Sequence, residues 1–296
     1  MKNFLFLGRS FLALPLIFFA LSCSDQPKAA KGSPEYQYGE AKKAVAEIKF
    51  EKAISLTGEI QGKFAGTEYA NKARILRVIL LSGLSQGHGR LAEAHLEGSE
   101  KSIKNVGALR SAAFDYYRKQ KSEALGFFEA CDFFLKSYSQ QTPYILDVQF
   151  PSQDLTPNRR LDEIRSGTLL APEQIKAAEE DELRNGLIIS LTGFLGAGSD
   201  RAKARKLLEG GPKTLDHAEF LVMLGRTLLD AQKVFGRGAL NEVQNYRQFY
   251  QKSLECSQLA FKALKDAPDP EIQRQADQLK TDIELLEKSR TQTSSL

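Results

Sequence analysis

Histidine, cysteine and methionine are scarce in this chain of 296 residues, at three, three and two. Three cysteines are too few for a disulfide framework or a four-cysteine zinc site. The histidines are His88, His95 and His217, and His88 and His95 are seven apart with no carboxylates at ligand spacing, so neither a metal nor a cofactor is expected. No Gly-x-Ser-x-Gly elbow, paired serine and histidine, or cysteine-nucleophile motif occurs, and the chain is expected not to be an enzyme. Charge of one sign is lacking too. The 41 Lys and Arg against 37 Asp and Glu give a formal net charge of +4, or +2 without Lys2 and Arg9, which argues against a nucleic-acid partner. The longest uncharged apolar run, Phe11 to Leu21, is shorter than the roughly 20 residues that cross a bilayer as a helix.

That run is instead the centre of a secretory leader. Lys2 and Arg9 precede it and Ala20-Leu21-Ser22-Cys23 follows at once, so residues 1–22 read as a cleaved signal peptide. The four residues resemble the lipobox of bacterial lipoproteins, although Ala20 stands where that motif most often has leucine. The resemblance implies that Cys23 becomes the first residue and carries acyl chains on its sulfur and its amine. Several chains are needed because one alone binds a membrane marginally. In that family an aspartate after the cysteine favours inner-membrane retention. Here Ser24 follows, with Asp25 one place too late, so the periplasmic face of the outer membrane is the expected location. An oxidising periplasm would permit a disulfide between Cys131 and Cys256, with buried free thiols as the default.

Cys23 and the small polar residues up to Ser33 form a flexible tether with at most about 35 Å of reach. Ser33-Pro34-Glu35 is a helix start signal. Ala41, Ala44, Val45 and Ile48 follow at helical spacing, then Phe50, Ala53, Thr57, Ile60 and Phe64. Gly66 ends that second helix, and Thr67-Glu68 opens a third through Leu84. Gly87-His88-Gly89 is expected to break the third helix, with Leu91, Ala94 and Ile103 marking a fourth. Two antiparallel helix pairs result. Aligning them places Ala94 on Ala53, a spacing of 41 residues, and Gly89 on Ile48.

A large apolar residue three places before an alanine resembles the short signature of the tetratricopeptide repeat (TPR). More closely, Ala41 to Ala73 is similar to the first repeat of the TPR lipoproteins of the outer-membrane β-barrel assembly machinery. Phe64, Gly66, Thr67, Tyr69 and Ala70 match that family's helix ending, and Ala65 replaces its proline. The resemblance implies an all-α, TPR-like α-solenoid of antiparallel helix pairs, and a protein that holds protein partners.

Residues 34–141 form the expected N-terminal helical half. The aromatics from Phe114 to Tyr138 read as helix–helix core rather than a peptide groove. Residues 142–160 are an extended connection, with Pro143, Pro151 and Pro157 around the strand-like run Tyr144 to Phe150. Residues 161–296 form the C-terminal helical half. Its helices are expected from Pro172 to Leu195, Asp200 to Glu209, Leu215 to Phe235, Tyr246 to Leu264 and Glu271 to Lys288, and the third and fourth would make another degenerate pair.

Leu191-Thr192-Gly193-Phe194-Leu195-Gly196-Ala197-Gly198 resembles the phosphate loop of the cobalamin-synthesis-type metallochaperone GTPases. A phosphate loop needs lysine and then Ser or Thr after its last glycine. Ser199 and Asp200 occupy those places, so a turn between helices is expected, with Asp200 as a cap. The reading that follows is an outer-membrane-anchored periplasmic scaffold lipoprotein that mediates protein–protein interaction, in the setting of envelope or outer-membrane protein assembly. The rivals are a TPR lipoprotein component of a tripartite solute transporter and a nucleotide hydrolase built on Gly193 to Gly198.

Overall fold

The computed structural model describes residues 29–137, 139, 141–151, 158–264 and 269–293. The leader, Cys23, most of the tether and residues 152–157 of the extended connection lie outside the described residues.

Ser33 caps the first helix, α1 (Pro34–Ala46), by accepting a hydrogen bond from the Tyr36 amide at 3.2 Å. The turn that follows is closed by Lys49 N–H on the Ala44 carbonyl and Ile48 N–H on that of Val45. This is the pattern in which the residue after the cap goes left-handed, and Ile48 does so with φ of 61°. Helix α2 (Phe50–Lys63) buries Phe50, Ala53, Thr57 and Ile60. Gly66 turns the chain at φ of 88°, and Thr67 caps α3 (Glu68–Lys101) through the Ala70 amide.

Helix α3 runs unbroken for 34 residues, about 51 Å at 1.5 Å per residue, and so corrects the expected break at Gly87-His88-Gly89. These glycines serve close packing. A Cβ on Gly83 would lie 2.7 Å from Leu187 Cα, and one on Gly87 would lie 2.7 Å from the Glu182 carbonyl oxygen. Gly186 faces the Gly83 carbonyl in return. Two helix backbones thus meet with nothing between them, and Ser82 and Ser190 hydrogen-bond across the crossing at 2.8 Å. The 41-residue alignment falls with the break, because Ala94 sits in the second half of α3 rather than in the second helix of a pair. Ile103 lies in the exposed turn beyond it.

Helix α4 (Val106–Lys136) returns antiparallel along α3, with Arg74 over Phe133 at one end and His95 against Tyr116 at the other. It buries Tyr116, Tyr117, Phe127 and Phe134, whereas Phe114 and Phe133 stay exposed. The extended connection holds strand β1 (Tyr144–Leu146), which pairs antiparallel with β2 (Lys213–Leu215). Leu215, expected from sequence to open the following helix, therefore belongs to a strand instead. The connection also ends earlier than expected, in helix α5 (Arg159–Arg165), capped by Asn158.

Helices α6 (Pro172–Phe194) and α7 (Arg201–Glu209) follow, then α8 (His217–Ala231) with a 3₁₀ turn to Phe235. Helices α9 (Val243–Leu264) and α10 (Pro270–Thr293) complete the described chain. The fold is all-α. Helices α8 and α9 are an antiparallel pair, since Ser253 bonds the Gly225 carbonyl and Phe235 packs on Phe249. Helix α9 lies parallel to α4 at a nearly constant offset, shown by Lys121–Glu242, Phe128–Phe249 and Asp132–Lys252. One buried core runs from Tyr38 to Ile283 and joins both halves.

Candidate functional site

Three adjoining cavities follow the α1–α2 turn. The first, about 820 Å³, lies between Lys42 and Lys43 of α1, residues 147–150, and Arg205 and Leu208 of α7. Ala46, Gln149 and Phe150 also border the second, of about 140 Å³. Ile48 and Phe50 then separate that one from a third of about 580 Å³, whose inner wall carries His88, Lys119, Glu123 and Glu179. The three share walls along one grooved face, and the strained Ile48 stands between the second and the third.

Three helices position the inner wall. The glycine crossing draws α6 onto α3, so Glu179, two turns before Gly186, comes level with His88. The antiparallel return of α4 supplies Glu123, Lys119 and Tyr116. Buried His88 places Nδ1 2.6 Å from Glu123 and Nε2 3.1 Å from Glu179. A carboxylate stands on each side of the ring, and donation from both nitrogens at once requires the protonated imidazole. Burial opposes that charge, but the two carboxylates outweigh it and raise the His88 pKa above 6.5. Hydrogen bonds from His88 and Lys119 hold Glu179 down to about 2, against the cost of burial. Glu123 is pushed up by burial, with His88 acting against it. Burial likewise raises Tyr116, whose hydroxyl reaches Glu179 at 3.5 Å. His95, whose Nδ1 donates to the Leu91 carbonyl at 2.8 Å, is lowered by burial.

The network ties helices together and offers little to chemistry. A general base needs a free lone pair aimed at substrate, and both His88 nitrogens are engaged. Glu123 and Glu179 sit on opposite sides of the ring and do not converge on one point. Among the described residues no group of three His, Cys, Asp or Glu side chains is placed to hold a metal ion. His217 is distant from this site and lies against Thr142 and Tyr144.

From sequence, the acidic run Glu179-Glu180-Asp181-Glu182 reads as a solvated helix face, and half of it is not. Glu182 is 2% exposed. It accepts from Arg90 at 2.7 Å and from Asn158 at 3.1 Å, which fastens the end of the extended connection to α3 and α6. The missed signal was periodicity: Glu179, Glu182, Gly186 and Ser190 form one helical stripe with the crossing.

The glycine-rich stretch from Gly193 starts inside α6 and is preceded by helix, not by the strand of a phosphate loop. A Cβ on Gly193 would lie 2.5 Å from Met223 Cε, and one on Gly196 would run into the Glu219 carboxylate. Gly196 and Gly198 have φ of 65° and 60°, and Asp200 caps α7 through the Lys203 amide at 2.9 Å. The stretch is a helix–helix turn with an acid where phosphate would lie.

Cys131 and Cys256 are buried free thiols, and burial raises both. The offset between α4 and α9 sets Cys256 about one helical turn, or about 5.4 Å, beyond the level of Cys131. Among the described residues no helix is long and apolar enough to cross a membrane.

No family model matches the chain, and no curated protein or solved structure shows significant similarity to it.

Proposed function

We propose that the chain is a scaffold lipoprotein, acylated at Cys23 and anchored on the periplasmic face of the outer membrane, which holds a protein partner in the groove beside the α1–α2 turn. The groove is the observation that carries this reading. It comprises three adjoining cavities with apolar walls at Phe50, Leu183, Phe150 and Leu208, and is edged by lysines at 42, 43, 49 and 52. Apolar walls with charged edges suit a polypeptide. The pairs α3/α4 and α8/α9, with α4 parallel to α9, support a TPR-like array, since successive repeats stack in parallel. The contact of α6 with α3 departs from such an array and thickens it at the centre. Envelope assembly is the setting this reading proposes. The third cavity, closed at its inner end by buried His88 and half-buried Glu123, favours a small-ligand transporter component as the second reading.

A photo-crosslinking residue at position 48 tests the scaffold in intact cells. Capture of an envelope protein from position 48, and none from exposed position 103, is the expected outcome. Equal capture from both, or none from position 48, overturns the reading. Cys23→Ser should lose acylation and move the protein from the membrane to the soluble fraction. Wild-type protein found soluble and unacylated would remove the anchor from the proposal.

A further inference from the structure

Helices α3 and α5 end, and α4 and α6 begin, at one end of the molecule. The two connections there adjoin. Asn105 Nδ2 donates to the Gly167 carbonyl at 3.3 Å, and a Cβ on Gly167 would lie 3.1 Å from Ser102. Residues 98–117 and 158–172, which build this end, are described throughout. It carries three exposed large apolar side chains, Ile103, Leu169 and Phe114, and Ile103 stands out from the turn at 95% exposure. Val106, Arg110 and Phe114 continue the patch along one face of α4 at intervals of four residues.

The charge around the patch is of one sign. Residues 101–114 and 164–172 hold Lys101, Lys104, Arg110 and Arg165 and no acid. Arg165 is committed to Glu97 and Asp162. Exposed Lys101, Lys104 and Arg110 make no ion pair among the described residues, the nearest acids in sequence being Glu100 and Asp115, of which Asp115 pairs with Arg118. A protein partner would have to bring a pocket shaped to so prominent an isoleucine. A bilayer needs none, because lipid rearranges around an aliphatic tip while cations beside it remain among the headgroups. Cations without partners favour an anionic headgroup.

We propose that the end of the molecule at Ile103 and Leu169 is a second membrane contact, which dips into the surface of an anionic phospholipid bilayer. The proposal rests on the lipoprotein reading, which keeps a bilayer within reach, and it sets how the protein stands there. Tyr38 packs on Tyr69, so the tether begins level with the start of α3. That helix has 34 residues and spans about 51 Å, more than the roughly 35 Å of a fully extended tether. Both contacts therefore hold together only when α3 leans from the membrane normal by roughly 45° or more.

The chain has no tryptophan, so Ile103→Trp in the mature full chain, kept unacylated by Cys23→Ser, reports on this end alone. With vesicles of phosphatidylglycerol and phosphatidylcholine its emission should shift to the blue and be quenched by brominated acyl chains. Val243→Trp should show neither, since position 243 is exposed but lies level with the middle of α4, where Glu242 meets Lys121. In co-sedimentation with the same vesicles, Ile103→Asp should weaken binding about tenfold or more and Lys104→Ser about fivefold. Both side chains are exposed, and unchanged thermal melting verifies the fold. Absence of binding, an equal response from position 243, equal binding to phosphatidylcholine alone, or undiminished binding of Ile103→Asp overturns the proposal. A photo-crosslinking residue at position 103 in intact cells should label phospholipid, and capture of a protein from it would make this end a protein surface instead and overturn the proposal too. Wild-type protein found soluble and unacylated removes the anchor, and the vesicle measurements then decide this end by themselves.

Discussion

Ile48 and Gly89 occupy equivalent places in the sequence, each two residues ahead of a large apolar residue that precedes an alanine, and the structure uses them in opposite senses. The chain turns at isoleucine and runs straight through glycine. At the α1–α2 turn, Ile48 takes φ of 61°, a region in which a β-branched residue is an outlier. At 87–89 the backbone is helical, and the glycines leave room for α6 and for Gln120 of α4. Glycine marks two different needs, freedom of φ and closeness of approach, and spacing along one strip of sequence does not separate them. Strain at a groove rim and bare backbone at a helix crossing are thus the two places where local preference gives way to tertiary structure.

The crossing offers the largest effect. Alanine in place of a helical glycine gains up to about 1 kcal/mol of helix propensity. At Gly186, however, the added Cβ would run into the Gly83 carbonyl, backbone that cannot rotate away. Gly186→Ala is expected to destabilise by about 3 kcal/mol despite the better propensity, measured by urea denaturation. A stabilised Gly186→Ala would mean that the two helices are further apart than described.

How much of this was legible follows from the same physics. Caps announce themselves locally, so Ser33, Thr67, Asp200 and the turn after Phe194 were readable, as were the ends of α2, α6, α7 and α9. The α8/α9 pair was readable from its apolar periodicity, and the strand-like run from Tyr144 from its composition. Strand β2 was not, because three residues carry no periodicity and Lys213–Leu215 is a strand only by pairing with β1. The inner wall of the groove was also hidden. His88 meets Glu123 and Glu179, 35 and 91 residues away, and nothing local relates those positions until α3 is known to be unbroken. Cys23 carries the strongest sequence motif and lies outside the described residues, so its role rests on the lipobox resemblance.

The His88 network sharpens the comparison because it depends on the crossing. With its folded pKa raised, His88 contributes stability that is fully present below about pH 6.5 and is lost as pH rises through the raised value. Glu123, also raised, acts in the same direction. Glu179, held down to about 2, contributes above about pH 4.5 and loses that contribution as pH falls toward 2. Stability should therefore decline as pH rises above about 6.5. His88→Gln should cost about 2 kcal/mol at pH 6 by leaving a half-buried carboxylate short of its donor, and should flatten the decline above about pH 6.5. In an NMR titration the His88 ring should titrate above pH 6.5 and the His95 ring below it. The reverse order would break the assignment of both.

The smallest effect asks what the isoleucine at the turn is for. Placing glycine at position 48 relieves about 1–2 kcal/mol of left-handed strain and costs about 0.4–1 kcal/mol through the freer unfolded chain. Ile48 is half-buried on the rim between two cavities, so little of its side chain is lost to the core. Ile48→Gly should therefore be slightly more stable than the wild type, by about 0.5 kcal/mol, while partner capture through the groove weakens. Loss of more than about 1 kcal/mol would place the Ile48 side chain in the core, with strain accepted for packing. A gain in stability with capture unchanged would leave the strained turn without a part in binding.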